Sequence, residues 1–574
     1  MAGGLLGTAV TGLKAFQRSL ETTSHNISNV NTDGYSRQRV ELGTAPAQKT
    51  PAGYLGTGVS INNIARSYDQ FITSQLRSST SAHGDISNYE HLATQVDNIL
   101  ADPTVGMAPA MKNFFNAVNE ANNDPSSIPA RQVLISETEI LSSRFGTMNY
   151  RFEEIRKEIN TDMNVQVAEV STHLQDIADL NIKISNSQGQ SIGSQLPNDL
   201  LDKRDAVLNE LAELMDISVV PGNRGMVNVF MSQGQSLVTD TIANKLITQP
   251  SEFDPTRLDI SIKSGDAGII SLVTRELSGG ALAGSLRFRD EILDPAQQRL
   301  GSVAASISME FNAIHQDGFD LDGKPGGLMF KGQGMGGTEI PAVSRTANAP
   351  GSSIKVMFDK TNITNIDYSD YQLNVGAGPS YSLTRVADNT AIALTATAGV
   401  PAQLVASAPD TLPGISIEPT GLVAGDAYLI RPTYSAANAI AHNITNTREI
   451  ALATNKSPDD TYTINGPMPG DNRNGLALAG LENSLNMLGG TATFQDTYGL
   501  VVSEVGTLTR SAKISSAAQE TLLNSAKEEW GKISGVNLDE EAANLIKFQQ
   551  SYQAAAQVIS VSQSLFDSLL GAVN

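Results

Sequence analysis

The chain has 574 residues, no cysteine, and a formal net charge of −21 from 39 basic and 60 acidic side chains. This length predicts roughly three or four domains. The lack of cysteine excludes a disulfide framework, a thiolate metal site and a cysteine nucleophile, and the acidic balance argues against nucleic-acid binding. No stretch approaches the roughly 20 apolar residues that span a bilayer, and the first residues lack a signal-peptide pattern. We therefore expect no membrane insertion and no signal peptide.

Apolar residues recur every seven positions near the N-terminus, which is typical of a coiled-coil helix. The two seam positions hold Leu6, Leu13, Leu20 and Ile27, and Ala9, Phe16, Thr23 and Val30. The helix should end in the Asn-rich run 26–34, because Asn favours turns over helix interiors and Asp33-Gly34 is a turn dipeptide. Val40 and Leu42 then alternate with polar residues, which predicts a short extended segment.

A second seven-residue pattern lies near the C-terminus. Its seam positions hold Leu538, Leu545, Tyr552, Ile559, Phe566 and Val573, and Phe548, Ala555 and Leu569. Glu541 and Ser562 interrupt the second series. Six buried seam residues would contribute about 9–18 kcal/mol, whereas ordering such a helix costs on the order of 30–70 kcal/mol of backbone entropy. A lone helix pair would be marginal, which favours ordering by assembly over packing into the chain's own core, although the second alternative stays open.

Between the two ends, helical and strand patterns alternate. Residues from about Ile86 to Met215 are mostly helical, with a long helix starting near Pro129. The period then falls toward two from Ile217 to about Phe288, which predicts strands, and a helix follows from about Asp294 to His315. Residues 338–433 alternate in short segments separated by turn residues, as in a small sandwich or barrel.

These patterns predict a multidomain α+β protein. Residues 1–60 and 530–574 form a terminal assembly region whose N- and C-terminal helices pair as a coiled coil. Residues 61–337 and 434–529 form a core domain of long helices with a β layer. Residues 338–433 form an inserted all-β domain, which this nested order places farthest from the chain ends.

Several motif-like segments give no support for an enzyme. Gly318–Lys324 fits the first seven positions of a phosphate-binding loop, but Pro325 stands where a Ser or Thr hydroxyl is needed. Gly332–Gly337 contains GxGxxG without a helix start behind it. Asp320 and Asp322 match a calcium loop only in part, and the six histidines lack zinc-ligand spacing. We expect no catalytic residues, no metal and no cofactor.

Three segments resemble the signatures of one family. Residues 24–35, which read SHNISNVNTDGY, and residues 535–556 resemble the terminal signatures of bacterial flagellar rod, hook and hook-associated proteins. Within that family, residues 34–38 (GYSRQ), residues 535–541 (GVNLDEE) and Leu196–Arg204 (LPNDLLDKR) resemble the hook-associated members. The resemblance covers about residues 1–335 and 435–574, and the inserted β domain matches in position and character alone.

The resemblance implies a structural adaptor subunit that self-assembles into a ring-like layer at the junction between the flagellar hook and filament. Its partners would be hook subunits on one side and a second junction protein on the other. A FlgN-type export chaperone would hold the C-terminal helix before export. The chain would leave the cell unfolded through the flagellar type III apparatus, so it would be secreted without a signal peptide and end in the extracellular flagellum.

Transferred to this sequence, the resemblance assigns roles to two sets of residues. The paired helices that line the central channel would form the assembly interface through Leu6, Leu13, Phe16, Leu20, Ile27, Leu545, Phe548, Tyr552, Ile559, Phe566 and Leu569. The family signature, which includes the bend out of the inner tube, would comprise Asn26, Asn29, Asn31, Gly34, Tyr35, Asn537 and Leu538. Ordinary helix termination also explains the asparagines, and both explanations can hold.

Two other functions stay open at this stage. One is a flagellar hook or rod subunit, against which the Ser36-Arg37-Gln38 and Gly535–Glu541 variants argue. The other is a surface-exposed ligand-binding or adhesin module in residues 338–433. That segment has no histidine, so it cannot hold a Ser-His-Asp triad by itself.

Overall fold

The computed structural model describes residues 2–573 except 51–52, 103–105, 191–196, 265–267, 337, 346, 360–368, 379, 400, 409, 455–465 and 467. At residues 2, 3, 50, 190, 269, 569, 570, 572 and 573 it describes the backbone alone. The helices of the described residues are α1 (Ala2–Ser28), α2 (Gln70–Leu100), α3 (Met107–Asn123), α4 (Ile128–Gln190), α5 (Asn198–Leu214), α6 (Gly280–Phe288), α7 (Asp294–Asp317), α8 (Ala436–Ala439), α9 (Arg473–Gly480), α10 (Phe494–Ser534) and α11 (Leu538–Val573).

The strands of the described residues belong to several small sheets and one large one. Those before the inserted domain are β1 (Gln38–Thr44), β2 (Gln48–Thr50), β3 (Gly53–Leu55), β4 (Val59–Arg66), β5 (Ile217–Pro221), β6 (Val227–Met231), β7 (Ser236–Thr239), β8 (Ile242–Ala243), β9 (Lys245–Pro250), β10 (Leu258–Ser264), β11 (Ile269–Leu272) and β12 (Phe330–Lys331). The remainder are β13 (Ala342–Ser344), β14 (Ser353–Phe358), β15 (Tyr371–Val375), β16 (Tyr381–Arg385), β17 (Ala391–Ala396), β18 (Leu404–Ala406), β19 (Ile415–Thr420), β20 (Ala427–Ile430) and β21 (Ala441–His442).

Long helices form the frame of the molecule. Helix α4 has 63 residues and is therefore about 95 Å long, and it starts at Ile128, as the sequence predicts. Helix α10 packs along α2, and α3 packs against α4. Five buried phenylalanines meet where α3, α7, β12 and α10 converge, namely Phe114, Phe115, Phe311, Phe330 and Phe494. Since Phe494 follows the inserted domain and the others precede it, the frame is built from two separate stretches of chain.

The β layer differs from the sequence prediction at its end. Strands β5–β8 and β9–β11 form two antiparallel sheets. The sequence predicts that the strands continue to about Phe288, but they end at Leu272, and Gly280–Phe288 is helix α6. Gly279 and Gly280 have φ of +62° and +70°, which suits glycine alone. A Cβ on Gly284 would lie 2.3 Å from the Asp85 carbonyl oxygen of α2. Glycines placed for close helix packing hid the helical pattern.

The inserted segment folds as an all-β domain. Its described strands form an eight-stranded antiparallel sheet in the order β13-β20-β15-β16-β17-β18-β19-β14. A bridge between Ile340 and Val356 nearly closes this sheet into a barrel. Its interior holds the alternating residues of each strand, as in Tyr371, Leu373 and Val375.

A buried charge network joins the barrel to the frame. Arg431, at the end of β20, contacts Asp254 at 2.6 Å and Asp370 at 2.9 Å. Arg156 of α4 contacts Asp294 of α7 at 2.6 Å. Burial alone would raise the pKa of Asp294, but Arg156, Arg257 and Arg431 outweigh it and lower that pKa. All of these pairs lie within one chain, so this junction forms without a partner subunit.

Candidate assembly interface

The turn after α1 depends on a glycine. Gly34 has φ of +73°, and a Cβ at this position would lie 3.2 Å from the Ala206 Cβ of α5. An L side chain rarely adopts this φ. Gly34 therefore allows the chain to reverse and, at the same time, to pass close to α5.

The buried side chain of Asn26 organises the end of α1. Its Oδ1 accepts hydrogen bonds from the Tyr35 hydroxyl at 2.8 Å and from the Gln38 N–H at 2.9 Å. Its Nδ2 donates to the Gln38 carbonyl at 2.9 Å and to Glu541 Oε2 at 3.2 Å. Asn26 thus pairs with the backbone of Gln38 as a neighbouring strand would, which fixes where β1 starts. The same side chain reaches the first turn of the C-terminal helix.

Glu541 is the acidic partner of this network. Its side chain is only 2% exposed, and its Oε1 accepts from Arg37 at 2.8 Å. Arg37 also contacts Glu540 at 2.7 Å, and its backbone N–H donates to the Ser534 carbonyl at 2.8 Å. A buried carboxylate is stable when it is paired and hydrogen-bonded. Arg37 and Asn26 together satisfy Glu541 and link the two chain ends.

The N-terminus of α11 is capped before it reaches this network. Asn537 Oδ1 accepts from the Asp539 N–H at 2.9 Å, as an N-cap residue does. The first turn carries Asp539, Glu540 and Glu541, whose negative charge suits the helix dipole. Leu538 is half exposed beside them. The predicted signature residue Asn537 therefore sets the start of α11, whereas Leu538 contributes little buried contact.

The internal segment that resembles the family docks on the same turn. Asp202 of α5 accepts from the Ser36 N–H at 3.1 Å and pairs with Arg66 at 3.0 Å. Asn198 donates to the Gln38 side chain at 3.2 Å and to the Ile64 carbonyl at 2.8 Å. Leu196 lies outside the described residues.

The three sequence segments that resemble one family, although far apart in the chain, therefore meet in space. Their carboxylates shape the electrostatics of the turn. Burial raises the pKa of the Tyr35 hydroxyl, and Asp202, Asp199 and Glu541 raise it further. Burial also raises the pKa of Asp202, against the lowering effect of its bonds to Ser36 and Arg66. Tyr35 stays protonated, so its hydroxyl can donate to Asn26 Oδ1 while it also contacts His25 Nδ1 at 2.9 Å.

Helices α1 and α11 pack against each other. Because the end of α1 meets the start of α11, they run in opposite directions. On α1, Ala9 and Thr23 are buried, but Leu6 remains 36% exposed. The other predicted seam residues of α1 are half-buried: Leu13, Phe16, Leu20 and Ile27. One partner helix thus covers only part of this face.

The C-terminal helix corrects one expectation. Glu541 and Ser562, taken from the sequence as interruptions of the seam, are its most buried side chains. Glu541 is buried because Arg37 and Asn26 pair with it, and Ser562 is small enough for close helix approach. Leu545, Phe548, Tyr552 and Ile559 are half-buried, whereas Phe566 is 54% exposed. The side chain of Leu569 lies outside the described residues.

Other chemistry has little support in the described part of the chain. No three His, Asp or Glu side chains within it are placed to share a metal ion, and no helix within it is both long and apolar enough to span a membrane. The Asp320 carboxylate accepts the N–H groups of Asp322 and Lys324 at 2.8 Å each. The segment that partly matches a phosphate or calcium loop is thus a turn closed on itself.

Comparison with known proteins places this geometry in a family. Residues 93–330 match the helical domain of flagellar hook-associated protein FlgK. Residues 6–35 match the flagella basal body rod protein family, and residues 532–572 match the C-terminal region of flagellar basal body rod FlgEFG proteins. The flagellar hook-associated protein 1 of Salmonella typhimurium is 34% identical over 99% of both chains. The chain belongs to the flagellar hook-associated protein 1 family.

Further members of the family share its full length and fold. The Escherichia coli hook-associated protein 1 is 32% identical over 99% of this chain and 99% of its own length. The Bacillus subtilis protein is 25% identical over 98% of this chain and 97% of its own length. The solved structure of the hook junction protein FlgK from Burkholderia pseudomallei aligns with a TM-score of 0.70 at 24% identity. It covers 80% of this chain and 100% of that one. These likenesses make the protein a component of the bacterial flagellum.

The predicted signature residues divide into two groups in this hook-associated protein. Asn26, Gly34 and Tyr35 form the turn that contacts α5 and α11. Asn29, in contrast, bonds locally to the His25 carbonyl at 2.9 Å, and Asn31 is exposed in the turn. The prediction missed the pairing partners Arg37, Gln38, Asn198, Asp202 and Glu541. A signal for Glu541 was present in the sequence, because a carboxylate in an otherwise apolar seam calls for a buried partner.

Proposed function

We propose that this protein is a structural, non-enzymatic adaptor subunit that forms the layer between the flagellar hook and filament and polymerises through its terminal helices. The observation that carries the proposal is the terminal unit formed by α1, the β1–β4 segment and α11. The two ends of the chain fold into one unit, yet that unit leaves apolar side chains of both helices exposed. Such a surface favours assembly with further copies.

The frame supports this role by holding the terminal unit in one orientation. The contacts of Asp202 and Asn198 with the turn after α1, together with the Arg66–Asp205 pair at 2.6 Å, connect the unit to α5. A load on the terminal helices would pass through these bonds into the long helices. The barrel joins the same frame through the Arg431–Asp254 pair and would add width to the layer.

Localisation of the full chain tests the proposal. The native gene would be replaced by one with a short peptide tag at the exposed β15–β16 turn near Gly378, which leaves both termini free. Immunoelectron microscopy of isolated flagella is expected to show one labelled band between hook and filament. Label along the whole hook or on the rod would instead identify a hook or rod subunit and contradict the proposal.

A matched pair of variants separates assembly from folding. Arg37→Ala removes the partner of Glu540 and Glu541, whereas Arg39→Ala removes an exposed arginine from the next strand. We expect Arg37→Ala to reduce labelled junctions and swimming strongly and Arg39→Ala to leave both unchanged. Equal effects of the two variants would argue against a role for the contact of Arg37 with Glu540 and Glu541 in assembly.

The proposed partners follow from the same position in the flagellum. Hook subunits would lie on one side of the layer and a second junction protein on the other, after the unfolded chain leaves through the type III export apparatus. A FlgN-type chaperone would cover the apolar face of α11 before export. Isothermal titration of the full chain with that chaperone is expected to show binding that Phe566→Asp weakens and Gln553→Asp does not.

A further inference from the structure

Helix α11 has a second apolar stripe that α1 does not cover. It consists of Ala554, Val558, Val561 and Leu565, which are spaced as one face of a helix. The three larger side chains are 41%, 47% and 54% exposed. This stripe lies about 120° around α11 from the face that contacts α1. The helix therefore carries two apolar faces, and the described residues of the chain cover only one of them.

Helix α1 has an exposed apolar face of its own. Leu6 and Val10 share one side of the helix, and each is 36% exposed. The opposite side is covered by the β1–β4 segment, where the Val59 N–H donates to Thr11 Oγ1 at 3.3 Å. A Cβ on Gly58 would lie 3.2 Å from the Thr8 Cα. The face of Leu6 and Val10 points away from this contact.

The two uncovered patches lie at the same height along the helix pair. The Asn26–Glu541 hydrogen bond fixes the register of the antiparallel helices. Val10 lies as far from Asn26 along α1 as Gln557 lies from Glu541 along α11. Leu6 corresponds in the same way to Val561. Two copies placed side by side at equal height would therefore bring one patch against the other.

Charge does not oppose this contact. No Asp, Glu, Lys or Arg occurs in residues 2–13 or 548–566, although the whole chain has a net charge of −21. Residues that meet there would leave no charge buried and unpaired, which is the usual penalty for apolar association of an acidic protein.

We propose that the Ala554–Leu565 stripe of α11 docks on the Leu6 and Val10 face of α1 in the next copy of the chain. This inference rests on the proposed function and specifies its subunit contact. The contact joins two different surfaces, so each copy can accept one neighbour and donate to another, which builds a ring or a helical layer. A third face of α11 remains uncovered and carries uncharged polar side chains: Gln550, Gln553, Gln557, Ser560 and Ser564.

Cysteine pairing tests the contact directly, because the chain has no cysteine of its own. Two full-length variants, Val10→Cys and Val558→Cys, would be produced together in cells that assemble the flagellum. Isolated flagella would then be oxidised mildly and examined on non-reducing gels. We expect covalent dimers from this combination and none from either variant alone. The matched control replaces Val558→Cys with Gln557→Cys, which differs in height by one residue but lies on the polar face.

Four results would overturn the inference. Dimers from Val558→Cys alone would mean that like faces meet. Dimers of equal yield with Gln557→Cys would mean that the contact has no facial preference. Tagged chains that enter the junction and support swimming, but give no dimer, would reject this contact and leave the proposed function intact. Chains that swim normally without entering the junction would reject the proposed function and the contact with it.

A second experiment uses no cross-linking. Leu565→Asp places a charge in the stripe, and Ser564→Asp places one next to it on the polar face. Leu565→Asp is expected to reduce the number of labelled junctions at least tenfold, and Ser564→Asp to leave it within twofold. Circular dichroism of both purified chains, expected to match the unchanged protein, separates lost assembly from lost folding. Normal junctions with Leu565→Asp would contradict the contact.

Discussion

The barrel–frame junction and the terminal helix pair differ in how much of their contact surface is buried within one chain. At the junction, Arg156, Arg431 and their carboxylate partners are almost wholly buried and paired within one chain. In the terminal pair, leucines and a phenylalanine are left half-buried, and whole apolar stripes face outward. A surface that is satisfied within the chain fixes a shape, whereas one that is left incomplete directs association. Under the proposed function, the first builds the subunit and the second joins subunits.

The largest expected effect comes from breaking an ion pair in the barrel–frame junction. Asp294→Ala leaves Arg156 buried without its closest acidic partner, and we expect a loss of about 3–5 kcal/mol in the free energy of unfolding. Urea unfolding followed by circular dichroism measures this loss. Glu252→Ala is the matched control, because Glu252 pairs with Arg345 of the barrel at 2.7 Å but is more than half exposed, and it should cost less than about 1 kcal/mol. Similar losses for both variants would show that burial does not set the strength of the junction.

Acid should weaken the frame through His315. This side chain accepts from the Ala451 N–H at 2.8 Å, which leaves its other nitrogen to donate to the Gly327 carbonyl at 2.8 Å. Burial lowers the pKa of His315 to about 4. Since the unfolded chain has the higher pKa, the stabilisation is full above pH 6.5 and is lost as the pH falls toward 4, by about 3 kcal/mol in total.

Two histidine variants test this pH dependence. His315→Gln should flatten the stability curve between pH 6.5 and 4, whereas His91→Gln, at an exposed position, should keep it unchanged. The measurement is the urea midpoint at a series of pH values. A curve that keeps its slope after His315→Gln would rule out His315 as the source.

A substitution in the Asn26–Glu541 network should cost less free energy than one at the barrel–frame junction. Asn26→Asp keeps the shape of the side chain, yet it removes both donated hydrogen bonds and places a carboxylate beside Glu541. We expect the opening free energy of α1 to fall by about 1–3 kcal/mol, as measured by hydrogen exchange of its amides. Asn31→Asp, in the same turn but exposed, should leave exchange unchanged. Unchanged exchange in Asn26→Asp would mean that α1 is held by its apolar contacts alone.

The smallest expected effect separates backbone strain from crowding at the turn. Gly34→Ala should cost about 1–2 kcal/mol, because the residue must keep a positive φ and its methyl group approaches Ala206. Adding Ala206→Gly relieves the crowding and leaves the strain. The same hydrogen-exchange measurement reports both. Full recovery in the double variant would show that Gly34 is needed for space and not for its φ.

Periodicity predicted most of the fold because it reports burial directly. The start of α4 near Pro129 followed from the preference of proline for the first turn of a helix. Helix α7 followed from apolar spacing, and the inserted all-β segment from apolar spacing together with turn residues. Helix α6 did not, because Gly280 and Gly284 serve close packing and carry no apolar signal. The domain boundary expected at residue 60 falls inside β4, and the assignment of domains by residue range stays a prediction.

The candidate site was less predictable, because it depends on contacts between distant segments. The sequence marked Asn26 and Gly34 but could not show that they meet Glu541 and Ala206. Each of those pairings is local in space and remote in the chain, and no spacing rule reports them. The resemblance of three segments to one family indicated that all three mattered, and the structure adds that they touch.

The hydrogen bond between Asn26 and Glu541 also makes the packing of α1 depend on the C-terminal helix. It joins a residue near the start of the chain to one near its end, so the seam face of α1 has no partner helix until the last part of the polypeptide is present. A chain cut short before Leu538 would leave that seam uncovered and would leave Asn26 and Arg37 without the Glu541 carboxylate. Under the proposed function, entry into the assembly would therefore require a full-length product, and a prematurely terminated copy would be excluded without any separate proofreading component.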